Sequence, residues 1–242
     1  HPTENMLAEV QRELTRAEAT DRFAMALIGE RALNGEVMRL AQDDVRKLIT
    51  IANQGSNDEE KTELPSRNPG IGWRFLGFFE RDRNFFLRAM ETNILILQTM
   101  PPASLSFTNE TAQLETEAKK GFYIFSSILL PDISRAADRD ALLRANLRTA
   151  ATAVAIERWR LGHEGKIPDS LNDLIPSLVS AMPLDPFDGK PLRYKKLAHG
   201  YIVYSIGPDL EDDGGKEQPP RGVKVPLKER NKFDVTFAVE RD

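Results

Sequence analysis

The chain has no cysteine. That absence excludes disulfides, thiol nucleophiles and thiolate-bound metal centres, and it is compatible with an oxidising compartment. Histidine is nearly absent too. The three that exist, His1, His163 and His199, show neither HExxH nor paired-His spacing, so a zinc hydrolase has no ligand set here. No P-loop and no dinucleotide fingerprint occur, and the G-x-S-x-G elbow is missing around Ser205. No apolar run reaches the ~20 residues that a membrane-spanning helix needs. The longest candidate, FYIFSSILLP from Phe122 to Pro131, falls well short and ends in proline. Basic excess is also lacking: Lys and Arg number 33 against 37 Asp and Glu, for a net charge of -4. A nucleic-acid partner would want a basic face, so none is expected. The first residue is His1 rather than Met, and the expectation is that a signal or anchor segment has been removed upstream of it.

What is present is enough to build a core. Hydrophobic residues make up 40% of the chain and charged residues 29%, which suits one large domain or two modest ones. The first half carries helical periodicity. Leu7, Val10, Leu14 and Ala17 recur at spacings of three and four, as do Val37, Ala41, Val45 and Leu48, and Phe86, Met90, Ile94 and Leu97. Polar, glycine-containing loops separate them at Asn53–Lys61 and Glu63–Gly72, and Pro101-Pro102 stops the third helix. Phe75, Phe78, Phe79, Phe85 and Phe86 sit among Arg81, Arg83 and Arg88. Stacked bases would be one use of those rings. A helical core with arginines at its rim is the reading that the net negative charge favours. Asn109-Glu110-Thr111 fits a glycosylation sequon, but Thr108 or Asn109 as a helix N-cap explains it more simply.

The texture changes after Pro131. A long helical pattern follows, with Leu143, Leu147, Ala150, Val154 and Leu161 as its stripe and Gly162 or Gly165 as a left-handed cap. Asp169 or Ser170 should cap a short helix over Leu171–Ile175. Pro183, Pro186 and Asp188-Gly189 mark turns, and Asp185 and Asp188 are turn formers before they are a catalytic pair. Strands are expected over Leu192–Leu197 and Tyr201–Ile206, joined through Ala198-His199-Gly200. A third is expected where Phe233, Val235, Phe237 and Val239 alternate with Asp234, Thr236 and Ala238. The order of elements predicts an α+β protein: a helical domain over residues 1–130, then an α+β domain over 131–242 with a long helix packed on a small antiparallel sheet.

Between the last two strands lies YSIGPDLEDDGG, from Tyr204 to Gly215. Asp209, Glu211, Asp212 and Asp213 put four carboxylates in one tight loop, and Gly214-Gly215 lets the backbone wrap an ion. The other reading is a solvated acidic turn. Pro220 stands at the twelfth position from Asp209, where an EF-hand needs Glu, so that motif is excluded.

Three blocks come in a family's order: AIERWRLGHEGKIPDSLNDLIP (Ala155–Pro176), PLDPFDGKPLRY (Pro183–Tyr194) and YIVYSIGPDLEDDGG (Tyr201–Gly215). Over about residues 140–240 the chain resembles the major pseudopilin of type II secretion systems. With LLPDISRA (Leu129–Ala136), it also resembles large planctomycete-type bacterial proteins that carry a pseudopilin-like domain. The resemblance implies a long helix on a small antiparallel sheet, and a calcium ion held by acidic side chains and main-chain carbonyls. Asp209 matches the acid of the family's G-x-D-G, with Leu210 in place of the following glycine, and Asp234-Val235 matches its later D-I pair. Asp209, Glu211, Asp212, Asp213 and Asp234 are therefore the candidate metal residues. Some 130 residues precede the matching helix, and arginines interrupt its stripe, so the family's ordinary filament is not expected.

The function this implies is a non-enzymatic, extracytoplasmic structural or interaction module. Its expected partners are envelope or secretion proteins, and its membrane link would be a segment absent from this chain. Two alternatives stay open: a hydrolase or carbohydrate-active protein with its site between the two halves, and a calcium-dependent binding module. No catalytic residue can be named, because no nucleophile, base and oxyanion donor converge in the sequence.

Overall fold

The computed structural model describes residues 2–19, 22–38, 78–99, 104–217, 219 and 233–241. The protein is α+β. Helices α1 (Glu4–Ala19), α2 (Arg22–Val37), α3 (Phe78–Thr99), α4 (Ser104–Lys120) and α5 (Ile124–Gly162) come first. A 3-10 turn (Leu171–Leu174) and strands β1 (Arg193–Leu197), β2 (Gly200–Ser205) and β3 (Val235–Glu240) follow. The helical pattern from Ala41 to Leu48, the loops Asn53–Lys61 and Glu63–Gly72, Phe75 and Pro101-Pro102 lie outside the described residues. Two compact units form. A sheet unit comprises His1–Phe23, Leu97–Thr108 and Arg135–Asp242, and a helical unit comprises Ala24–Ile96 and Asn109–Ser134.

In the helical unit, the predicted stripe on α3 faces inward: Phe86 and Met90 are fully buried and Ile94 nearly so. Phe85, Ala89, Ala118 and Leu130 are buried as well. Arginines occupy the rim. Arg83 donates to the Gly35 carbonyl at 3.0 Å, Arg88 pairs with Glu117 at 3.1 Å, and Arg81 lies over the Tyr123 ring. Within α4, Thr108 and Asn109 are interior residues, because the helix starts at Ser104, so neither is an N-cap. Thr111, the hydroxyl of the sequon, is buried and hydrogen-bonds Asn93 at 3.4 Å.

The start of α5 also departs from expectation. The helix begins at Ile124 and runs through Pro131. Its free N–H groups find an acceptor far away in sequence. The Asp82 carboxylate on α3 accepts from Phe125 N at 2.7 Å, from Ser126 N at 3.1 Å and from the Ser126 hydroxyl at 2.6 Å. A tertiary carboxylate thus does the work of a local N-cap, where the helix dipole favours negative charge. Burial raises the Asp82 pKa, and the Ser126 hydroxyl and the two N–H groups pull it back down.

In the sheet unit the strand order is β1-β2-β3, antiparallel throughout, with Tyr201 opposite Lys196 and Val239 and Val203 opposite Tyr194 and Phe237. Ala198-His199 forms the hairpin turn, and Gly200 follows at φ +145 with its α-carbon pressed against the Val239 carbonyl, where no side chain fits. One face of β2 packs on α5 and the 3-10 turn: Tyr201 and Val203 join Ala153, Ile156, Leu171 and Leu174. Each fully buried valine, leucine or isoleucine side chain among these stabilises by roughly 1.5–3 kcal/mol. The Tyr201 hydroxyl donates within the same core, 3.0 Å from both the Ala153 carbonyl and Glu157.

The buried face of α5 is not the predicted leucine stripe. Leu143 and Leu161 are exposed, whereas Ala141, Ala145, Thr149, Thr152, Ala153 and Ile156 are buried. Small residues win because the sheet's large side chains need the helix backbone close. The Thr149 and Thr152 hydroxyls bond back to the Ala145 and Arg148 carbonyls, so their burial leaves no polar group unpaired. Glu164 and Gly165 end the helix at positive φ, with Gly165 N on the Arg160 carbonyl at 3.0 Å, the cap expected at that glycine. Ser170 caps the 3-10 turn in a reciprocal box with Asp173.

The face of α1 is likewise turned from its predicted stripe. Val10 is half exposed and Gln11 is buried, and the helix is held by polar clasps. Gln11 donates to the Leu178 carbonyl at 2.8 Å and accepts from Arg158. Arg158 also grips Glu4, and Arg148 grips Glu18.

Candidate functional site: the aspartate turn and the acidic loop

The turn from Leu184 to Pro191 is built by its own aspartates. Asp185 N donates to the Lys190 carbonyl at 2.7 Å, Phe187 N to Asp185 Oδ1 at 2.9 Å and Lys190 N to Asp188 Oδ1 at 3.0 Å. This aims Phe187 into a small core with Ala141, Ala145 and Ile206. Asp185 is buried and fully used. Oδ1 also accepts from the Ser205 hydroxyl at 2.8 Å, and Oδ2 accepts from Ile206 N at 2.9 Å and Arg193 at 2.7 Å. No oxygen of Asp185 is left over for catalysis.

Arg193, which sequence reasoning passed over, is the hub. It bonds Asp188 at 2.6 and 3.2 Å as well as Asp185, and its Nε lies 3.8 Å from Asp212 in the acidic loop. Asp188 is pulled below its usual pKa: burial opposes this, and the Arg193 hydrogen bond and charge outweigh it together with Lys190 N–H. One signal was available in the sequence. Arg193 opens β1 five residues after Asp188, close enough to fold back on the turn.

The acidic loop lies against the second face of β2. Gly215 sits beside Ile202 and Tyr204, and Lys195 holds the Gly214 carbonyl at 2.7 Å. Burial pushes the Tyr204 hydroxyl up to about 12, helped by the charge and hydrogen bond of Asp212 and by the charge of Asp234. Both ends of the loop meet the same two residues. Gly207, at φ +76, touches the Phe233 carbonyl so closely that a Cβ would stand 2.8 Å from it. At the other end, Gly215 N donates to Asp234 Oδ2 at 2.6 Å and Lys216 N at 3.2 Å.

The five candidate metal residues separate into three kinds. Asp209 and Asp234 each carry a buried carboxylate oxygen, Oδ2 and Oδ1 respectively, with no hydrogen-bond partner among the described residues. Asp212 is engaged, accepting from Gly214 N at 2.9 Å while facing Arg193. Glu211 and Asp213 point to solvent. Among the described residues no three acidic or histidine side chains converge in a way that could hold a metal ion. Asp234 is 3% exposed, and burial, helped by the charge of Asp212, raises its pKa against the pull of the Gly215, Lys216 and Asp213 N–H groups. The alternation predicted around it holds only in part. β3 starts at Val235, Val235 and Val239 pack inward, and Phe237 is 39% exposed.

His163 stacks on Trp159 with centroids 3.7 Å apart and its Nδ1 is 2.7 Å from the Trp159 carbonyl, while His199 lies in the exposed hairpin turn. No family model, no curated protein and no solved structure matches the chain.

Proposed function

We propose that the sheet unit is a pseudopilin-like structural and interaction module of the cell envelope whose acidic loop is fastened by calcium. The observation that carries this reading is the pair of buried carboxylate oxygens on Asp209 and Asp234 that find no donor among the described residues, at a loop whose two ends meet at Phe233 and Asp234. A buried carboxylate oxygen without a donor is costly, and a hard cation relieves it. Calcium takes oxygen ligands from carboxylates and carbonyls together. The site would rest on Asp209, Asp234 and main-chain carbonyls of the loop rather than on the whole acidic run. The long helix on a three-stranded antiparallel sheet is the frame such a module needs. With the Asp185 and Asp188 oxygens occupied, the site serves shape and attachment, not bond cleavage. Envelope or secretion proteins are its partners in this reading, and a membrane link lies outside this chain.

Thermal unfolding of the full chain with millimolar calcium, and again with chelator, tests it. A ligand at a hundred times its Kd adds about 2.7 kcal/mol, a rise of roughly 5–10 °C for a chain of this size. Asp209→Asn and Asp234→Asn should abolish the rise. An identical melting curve in calcium and in chelator would remove the ion and the reading built on it.

A further inference from the structure

We propose that α2 pairs with α2 of a second copy of this chain, antiparallel about a twofold axis at Gly29. One side of the helix belongs to the core, where Ala24 and Leu27 are buried. Its other side is apolar as well. Met25 is 69% exposed and Leu33 61%, with Ala26, Gly29 and Ala32 exposed between them. At roughly 100° per residue, all of them fall within about 60° of Gly29. They form one outward face with no charge at its centre. Arg22 and Glu36, both exposed, stand on the same face at its two ends. A helix that is apolar on both sides is the pattern of a buried helix, and this one shows half of it to water.

The occupant follows from the order of the side chains. An isologous contact must be self-complementary under a twofold turn. This face is. Counting outward from Gly29, Ala26 answers Ala32, Met25 answers Leu33, and Arg22 answers Glu36. A copy turned end for end therefore lays each Met25 beside the Leu33 of the other and each Arg22 beside the other's Glu36. At the crossing the two glycines meet. Nothing lies within 4 Å of the place where a Gly29 Cβ would stand, so the backbones can come close there. The end charges point the same way. Arg22 opens the helix and Glu36 stands in its last turn, and the helix has no acid in its first turn and no base in its last. Each charge thus sits at the dipole end of its own sign, which is unfavourable in a lone helix. In the antiparallel pair each lies beside the opposite end of the other helix, and the sign reverses. One positive and one negative end give no net attraction to a lipid headgroup or a nucleic acid, and a different protein would not require the palindrome. A single helix pair buries close to the ~1,000 Å² that a specific interface should clear, so the dimer is reversible. The inference is independent of the calcium reading.

Sedimentation velocity of the full chain, from low micromolar to submillimolar concentration, is the test. The mass should rise from one chain toward two. Gly29→Arg puts a long charged side chain at the crossing, in space that the single chain leaves open. It should weaken association by more than tenfold and leave the dilute chain folded, since the helix loses a glycine. Arg22→Glu replaces two ion pairs by two repulsions and should weaken association by about tenfold, and the double reversal R22E/E36R should restore it. The chain has no cysteine, so Gly29→Cys offers one thiol per copy. Mild oxidation should cross-link it across the axis, whereas Gly162→Cys, also at an open glycine, should not cross-link. A mass of one chain at every concentration, undiminished association of folded Gly29→Arg, or no rescue by the double reversal would overturn the proposal. So would equal cross-linking at the two cysteines, or none at Gly29→Cys.

Discussion

Each unit buries an aspartate, and the two are satisfied by opposite means. In the sheet unit, Asp185 is 1% exposed and meets a full cation, Arg193, besides two N–H groups and a hydroxyl. In the helical unit, Asp82 is fully buried and meets, among the described residues, only the N–H groups of a helix end and one hydroxyl. Asp185 ties a turn to a strand edge, so its charge needs a point partner. Asp82 ties one helix to the start of another, and the dipole of α5 supplies a diffuse positive end instead. The same residue type therefore costs different amounts to bury, and only one of the two sites depends on a second charged residue.

Removing Asp185 should have the largest effect. Asp185→Ala strands Arg193 half-paired beside Asp188 and leaves Ile206 N and the Ser205 hydroxyl without their acceptor. A loss of about 3–4 kcal/mol follows, read from the urea midpoint. A loss below about 1 kcal/mol would mean that Asp188 alone satisfies Arg193, and the contrast would collapse.

Asp82→Ala should cost less, about 2 kcal/mol, the value of a lost helix cap with its orphaned donors. Its pH dependence sharpens the comparison. The folded Asp82 pKa is raised, chiefly by burial. Its contribution is then full below the unfolded carboxylate pKa and is lost as pH rises through the folded value. Relative to Asp82→Asn, the parent chain should therefore be more favourable at pH 4 than at pH 7. Urea midpoints at the two values check this, and an advantage that grows toward pH 7 would reverse the assigned sign.

The clasps on α1 should be weakest. Glu18→Gln and Glu4→Gln remove charge from partly exposed pairs with Arg148 and Arg158. Each should cost at most about 1 kcal/mol, less in high salt. Equal losses at low and high salt would show that α1 is held by packing around Leu7 and Leu14 instead.

Much of the fold was legible because it is local. The spacing of Phe86, Met90 and Ile94, the serine before Leu171, the glycine after α5 and the hairpin at Ala198-His199 each act through neighbours a few residues away. The loop's candidate residues were legible by type but not by role. Asp209 and Asp234 share the feature of a buried oxygen without a donor among the described residues, while Glu211 and Asp213 face water, and nothing in the acidic run distinguishes them. Arg193 and Asp82 were missed because their partners are set by folding. For Asp82 the partner is the start of another helix, more than forty residues on.

By itself the sequence determined the kinds of element and where most of them stop, because periodicity, caps and turns are short-range physics. Tertiary structure alone decided which face each helix turns inward. On α5 that choice went to alanines and threonines over leucines, since Tyr201 and Val203 need a backbone within reach. On α1 it went to Gln11 over Val10, since a carbonyl at Leu178 and a guanidinium at Arg158 were there to receive it. A side chain's burial is settled by what stands opposite it, and in this chain the residue opposite is often more than a hundred positions away.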